Sequence, residues 1–210
     1  EGLTSMGTYV FKGCSALKSV EIPEGVTSIG NYSFQNCSAL ETVNLPTGLK
    51  TLGTYMFDGC SMLKSITVPE AITTIGNYMF RNCTSLASVT MGSKVTTISQ
   101  YAFNGCSALQ AIELPSTVTS IAQYAFANCS SLKSISVPEG VTTINNYTFQ
   151  NCSALENVTL GSKVKTLGNY AFNGCAALKV LELPETISTL GKDFVVGATN
   201  LTVYVCNATP

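Results

Sequence analysis

The sequence predicts a solenoid of the α/β class, β-dominated, in which stacked 23-residue units each contribute a main strand, a short second strand and a short helical turn. Three observations predict it. Eight cysteines, Cys14, Cys37, Cys60, Cys83, Cys106, Cys129, Cys152 and Cys175, recur every 23 residues without an insertion. Other columns keep the same step: Phe11 to Phe172, Tyr9 to Tyr170, and Leu17 to Leu201. Finally, one such unit cannot bury its own apolar face, whereas stacked units can, and a fixed period of this length signals a repeat rod.

Each element can be justified along one unit, LKSVEIPEGVTSIGNYSFQNCSA, residues 17 to 39. In LKSVEI, Leu17, Val20 and Ile22 point inward while Ser19 and Glu21 point outward, and Val20 and Ile22 alternate as a strand requires. Pro23 has no N–H for a sheet and ends the pairing. PEG makes a turn. VTSI is a second short extended piece with Val26 and Ile29 inward. NYSFQNC lacks alternation and reads as one or two helical turns that bury Phe34 and Cys37. The column before cysteine holds only Gly13, Asn36, Gly59, Asn82, Gly105, Asn128, Asn151 and Gly174. Gly and Asn share tolerance of φ > 0, so a left-handed residue is expected to end the turn there.

Eight steps at about 4.8 Å give a rod of roughly 40 Å and a single domain over 1–210. The chain opens inside a repeat, since GLTSMGTYVFKGCSAL at residues 2 to 17 aligns with GVTSIGNYSFQNCSAL at 25 to 40, and further units are expected upstream. In GKDFVVGATNLTVYV, Phe194 arrives one residue early, Asp193 stands in the tyrosine column and Ala198 in the cysteine column. Residues from about 190 to 210 are therefore expected to form a degenerate capping repeat at the C-terminal end.

Composition limits the function classes. The 210 residues are 45% hydrophobic and 11% charged, too apolar for disorder, yet no apolar run approaches the length of a membrane helix. The net charge of −1 and the scattered basic residues leave no footprint for nucleic acid or for an acidic membrane.

LKSVEIP, VTSIGNYSF and NCSAL together resemble the BspA-like leucine-rich repeat of bacterial surface proteins, over nearly the whole chain. The resemblance implies a right-handed leucine-rich-repeat solenoid whose LxxVxIP strands form a parallel concave sheet. It also implies a secreted or surface-attached life with roles in adhesion to host proteins or other cells.

Four readings of the cysteines compete. Catalysis needs a thiolate, usually supported by histidine, and the chain has no histidine. Zinc prefers close ligand pairs, which a 23-residue spacing does not supply. Disulfides between neighbouring units meet the Cα separation, but ladder side chains point the same way rather than converging. A buried, free thiol serving as a small hydrophobe is the favoured reading for Cys14 through Cys175, with Cys206 set apart near the end.

No catalytic, cofactor or metal site is expected. Glu21 and Glu113 stand four units apart, about 19 Å, against the roughly 5–9.5 Å of glycosidase pairs. The candidate partner-binding site is the outward, concave strand face: Ser19, Glu21, Thr42, Asn44, Ser65, Thr67, Ser88, Thr90, Glu113, Ser134, Ser136, Asn157 and Thr159. These positions vary between units and gather successive coils onto one partner. A solvated sheet face made of β-formers is the plain alternative. The tyrosine column reads either as stacking faces for sugars or as a half-buried ladder. Lys18, Glu41 and Lys64 alternate in sign and read as register keeping. The sequence is thus read as a monomeric, non-enzymatic extracellular or cell-surface recognition and adhesion module for a host or cell-surface protein or glycan, with no nucleic acid partner and no membrane insertion. The alternative is a structural spacer that presents another domain at the cell surface.

Overall fold

The structure, a computed structural model, describes residues 2–205. Cys206 lies outside the described residues. The long strands are Ser19–Glu21, Thr42–Asn44, Ser65–Thr67, Ser88–Thr90, Ser134–Ser136, Asn157–Thr159, Val180–Leu183 and Thr202–Val205. Two-residue strands such as Ser28–Ile29, Thr51–Leu52 and Thr97–Ile98 follow across the turn. Every pairing is parallel, and each joins a residue to its equivalent one unit on, as Ser19 to Thr42 and Ser28 to Thr51. The last long pair departs from this: Val180 faces Thr202, one residue short of the usual step. The long strands are hydrogen-bonded in three patches, and Ala111–Glu113 keeps phase without forming a strand.

Alternation within the strands does what the sequence requires. Val43, Ile66, Val89, Ile135 and Val158 are buried between exposed neighbours. Behind them runs one continuous core. Phe34, Phe57, Phe80, Phe103, Phe126, Phe149 and Phe172 are fully enclosed, and successive rings lie 5.3–5.6 Å apart. Each such burial is worth about 1.5–3 kcal/mol, so the phenylalanine file is a principal source of cohesion between coils.

The expected helical turns are not there: no helix forms among the described residues. NYSFQNC is a chain of reverse turns, and the reason lies in where its N–H groups go. Tyr32, Phe34 and Asn36 donate to the next coil, at Thr54, Met56 and Asp58, over 2.8–3.0 Å. Gln35 and Cys37, between and after them, donate three residues back, to Tyr32 and Phe34. Each residue has one N–H, so a segment that spends alternate donors on its neighbour cannot also close an i to i−4 helix.

Two residues per coil are left-handed. The Gly/Asn column is one, as expected. The tyrosine column is the other, at φ 57–63° from Tyr9 through Tyr170, with Asp193 at 48° in its place in the last coil. A bulky residue there costs of order 1–3 kcal/mol. The rings offset it: successive tyrosines stack 4.4–5.1 Å apart, nearly parallel, and each stacked pair contributes about 0.5–1.5 kcal/mol. The Gly/Asn order is steric. A Cβ on Gly59, Gly105 or Gly174 would lie 2.4–2.7 Å from the side-chain oxygen of Asn36, Asn82 or Asn151 on the preceding coil. Where two asparagines are adjacent, Asn151 Nδ2 instead donates to Asn128 Oδ1 at 3.0 Å.

The cysteines are hydrogen-bond donors. Sγ of Cys37, Cys60, Cys83, Cys106, Cys129, Cys152 and Cys175 each meets the carbonyl of the phenylalanine 26 residues earlier, at 3.0–3.2 Å. The same carbonyl already accepts a backbone N–H on its own coil, as Phe34 does from Cys37, so the thiol of Cys60 fills its second lone pair. All the described cysteines are free, and burial pushes Cys37 up to about 11 and Cys129 and Cys175 up to about 12. Cys60, Cys83, Cys106 and Cys152 move the same way for the same reason. Cys14 corrects the expectation of a uniformly buried column: it is exposed, in the first described coil.

One polar clamp spans three coils. Asp58, 3% exposed, accepts Arg81 Nε and Nη2 at 2.8 Å each and Gln35 Nε2 at 2.9 Å. Arg81 also lies 4.8 Å over the Tyr78 ring. On the surface, Lys64 and Glu41 pair at 2.6 Å, the one ion pair formed in the alternating column among the described residues.

Three outcomes follow from these contacts. Cys83→Ala removes the donor and leaves space, and is expected to cost about 1–2 kcal/mol in urea denaturation. Cys83→Ser keeps a donor beside the Phe57 carbonyl and should stay within about 1 kcal/mol of the parent. A serine variant as damaged as the alanine variant would contradict the hydrogen-bond role. For pH, the folded thiols titrate above the unfolded value of 9.0, so their contribution is whole below pH 9 and lost as pH rises toward about 11 to 12. A denaturation midpoint that stays flat from pH 8 to 11 would refute this. Asp58→Ala strands the Arg81 guanidinium half-buried and should lower stability by about 1–3 kcal/mol, largely recovered in the Asp58→Ala, Arg81→Ala double variant.

Candidate strand-face binding surface

The outward strand positions come together as expected from alternation. Pairing places Ser19 beside Thr42 and Glu21 beside Asn44; Ser65 beside Ser88 and Thr67 beside Thr90; Ser134 beside Asn157 and Ser136 beside Thr159. All twelve are exposed, as is Glu113, which keeps its place in the row although its segment is not a strand. The face is small, neutral and hydroxyl-rich, with Glu21, Glu113 and Glu182 as its carboxylates.

Beside this face lie groups that the column-by-column reading did not single out. Two open grooves, of about 750 and 600 Å³, run between the strand ends and the following turns. One is lined by Glu139, Asn157, Thr159, Leu160, Ser162 and Glu182. The other is lined by Glu70, Ser88, Thr90, Met91, Ser93 and Glu113. In each, a glutamate from one turn is pinned to a serine of the next coil. Ser162 donates through N and Oγ to Glu139, at 2.9 and 2.6 Å to Oε2. Ser93 does the same to Glu70, through N at 2.9 Å to Oε2 and through its hydroxyl to Oε1. These bonds hold both carboxyls below the usual range, with Lys94 and Lys163 adding to the effect. The signal was in the sequence: VTMGSK at 89–94 and VTLGSK at 158–163 each replace the usual proline turn, 69 residues apart.

The other candidates do not form reactive sites. The thiols of Cys37 through Cys175 are enclosed, and burial pushes them up, away from the thiolate that a nucleophile or metal ligand needs. No group of three or more His, Cys, Asp or Glu side chains is placed to hold a metal ion among the described residues. The tyrosine rings do not offer faces to sugars: each inner ring is covered on both sides by its neighbours, leaving edges to solvent. Among the described residues no helix is long and apolar enough to cross a membrane.

The family described as BspA type leucine rich repeat region matches residues 1–110 and 96–209, in six copies. Two solved structures are similar over nearly the whole chain. One is a leucine-rich repeat protein of T. pallidum, 26% identical, with a TM-score of 0.65, covering 94% of this chain and 82% of that one. The other is a leucine rich cell surface protein from Faecalibacterium prausnitzii A2-165, 26% identical, with a TM-score of 0.54, covering 96% of this chain and 76% of that one. No curated protein matches the chain.

Proposed function

The chain belongs to the BspA-type leucine-rich repeat family, and from that membership and the geometry of its strand face we propose that it is a recognition module that binds a protein or glycan partner at the cell surface. The observation that carries the reading is the exposed row itself: Ser19, Thr42, Ser65, Ser88, Ser134 and Asn157 stand side by side on the outward face and differ from coil to coil, while the Phe, Leu and Cys columns behind them do not. Change is not confined to that row, since the buried column of Ser33, Met56, Ala102 and Thr148 and the turn column of Gln35, Asp58, Arg81 and Asn104 vary as well. The cell-surface description of the Faecalibacterium prausnitzii protein supports the location. The enclosure of Cys37 through Cys175, whose thiols burial pushes up, supports a scaffold rather than thiol chemistry along the core. We further propose that the final coil, paired one residue short, caps the rod, and that the module acts as a monomer.

The face would bind through many modest hydrogen bonds, with affinity growing with the number of coils engaged. The test is a screen of matrix proteins and glycans, followed by Thr67→Arg, Ser88→Arg and Thr90→Arg together. Binding is expected to fall by about tenfold or more, against less than about twofold for Asn104→Arg and Gln150→Arg on the turn edge. The reverse pattern moves the site off the strand face. A screen empty up to high micromolar concentration replaces recognition with the spacer role.

A further inference from the structure

The two grooves beside the strand face are one site written twice. Under a shift of 69 residues, Glu70 becomes Glu139, Thr90 becomes Thr159, Met91 becomes Leu160, Ser93 becomes Ser162, Glu113 becomes Glu182 and Pro115 becomes Pro184. Each of these residues lines its own groove, so the duplication is spatial as well as sequential. The pin itself recurs once more on a PTG turn, where Thr47 donates through N and Oγ1 to Glu24 at 3.1 Å each, but there Thr67 stands in the place of Glu113 and Glu182, so that coil lacks the strand-face carboxylate.

The chemistry of both copies is acidic and partly apolar. Neither groove is lined by a basic residue. The pinned pair, Glu70 and Glu139, is offset by Lys94 and Lys163. Three further carboxylates line the grooves without a hydrogen bond or ion pair among the described residues: Glu185 in one groove only, and Glu113 and Glu182, which hold equivalent places on the exposed strand face, beside Val89 and Leu114 or Val158 and Val180. A carboxylate next to apolar wall suits a lysine or arginine, whose aliphatic stem covers the wall while its head meets the charge. Between the two grooves stands the strand Ser134–Ser136, with small exposed hydroxyls that leave the path open.

Spacing then selects the ligand. Three coils at about 4.8 Å separate equivalent groups by roughly 14 Å along the rod. An extended peptide rises about 3.4 Å per residue, so positions i and i+4 are also roughly 14 Å apart and lie on the same side of the strand. We propose that the paired grooves form a bivalent site for an extended peptide carrying basic residues at i and i+4, lying along the strand face. The proposal rests on the strand-face reading above and names its partner class.

The experiment uses fluorescein-labelled synthetic nonapeptides of Ser, Thr and Val, with two lysines at i and i+4, at i and i+3, or replaced by glutamates. Anisotropy titration of the whole chain at low salt is expected to show the i, i+4 peptide binding about tenfold more tightly than the i, i+3 peptide, because the second contact is intramolecular only when the spacing fits. The glutamate peptide should not bind. Glu113→Gln or Glu182→Gln, both exposed changes, should each reduce the i, i+4 peptide to the level of the i, i+3 peptide. Equal affinity for the two spacings, or no response to either substitution, overturns the proposal. A glycan or protein that is lost with the triple arginine variant but keeps its affinity in Glu113→Gln, Glu182→Gln overturns it too, while leaving the strand-face reading intact. Loss of all binding to that face overturns both.

Discussion

Everything in this molecule depends on a 23-residue step that, up to the last coil, repeats the same set of backbone hydrogen bonds between each coil and the next. Those bonds do not only pair the strands. In the turn segment the N–H groups of Tyr32, Phe34 and Asn36 also reach forward to the next coil. One inserted residue would shift the phenylalanine file, the tyrosine file and the thiol donors out of line together. The uniform step between coils is therefore a condition of the fold, and the residues that recur are those for which the offset leaves little choice.

That constraint explains features that look chemical at first sight. A cysteine in every coil suggests reactivity, yet each described thiol from Cys37 to Cys175 is an enclosed donor to a phenylalanine carbonyl on the previous coil. Tyrosines along an edge suggest carbohydrate stacking, yet their faces are used on one another. Each tyrosine takes a left-handed backbone at a cost that ring stacking and the cross-coil hydrogen bond are large enough to offset. Repetition makes such compensation possible, because every coil supplies its neighbour with the same partner.

Where repetition relaxes, function has room. The outward strand positions carry no cross-coil contact that fixes their identity, so they can differ from coil to coil without disturbing the stack. The grooves at Glu70–Glu113 and Glu139–Glu182 go further, departing from the common turn in the same way twice. A rod of stacked coils presents its outward chemistry at intervals set by its own coil spacing, which favours extended or repeating partners over compact ones.

The sequence by itself determined the solenoid, the coil length, the inward columns and the outward row from Ser19 to Thr159, because period and alternation are properties of single positions along the chain. It also determined that Gly and Asn before each cysteine are left-handed, since few other residues tolerate φ > 0. It did not determine what NYSFQNC becomes. A short apolar segment without alternation suits a helical turn locally, and only the next coil, by taking alternate N–H donors, makes it a run of reverse turns. Nor could it show why Gly59 follows Asn36, why Tyr32 is left-handed, or that Cys60 donates to Phe34, since in each case the partner sits on a neighbouring coil more than 20 residues away. The face that carries the candidate site was legible one residue at a time. The grooves beside it, formed by Glu139 reaching across to Ser162, were decided by tertiary structure, because only stacking brings one coil's turn against the next coil's strand.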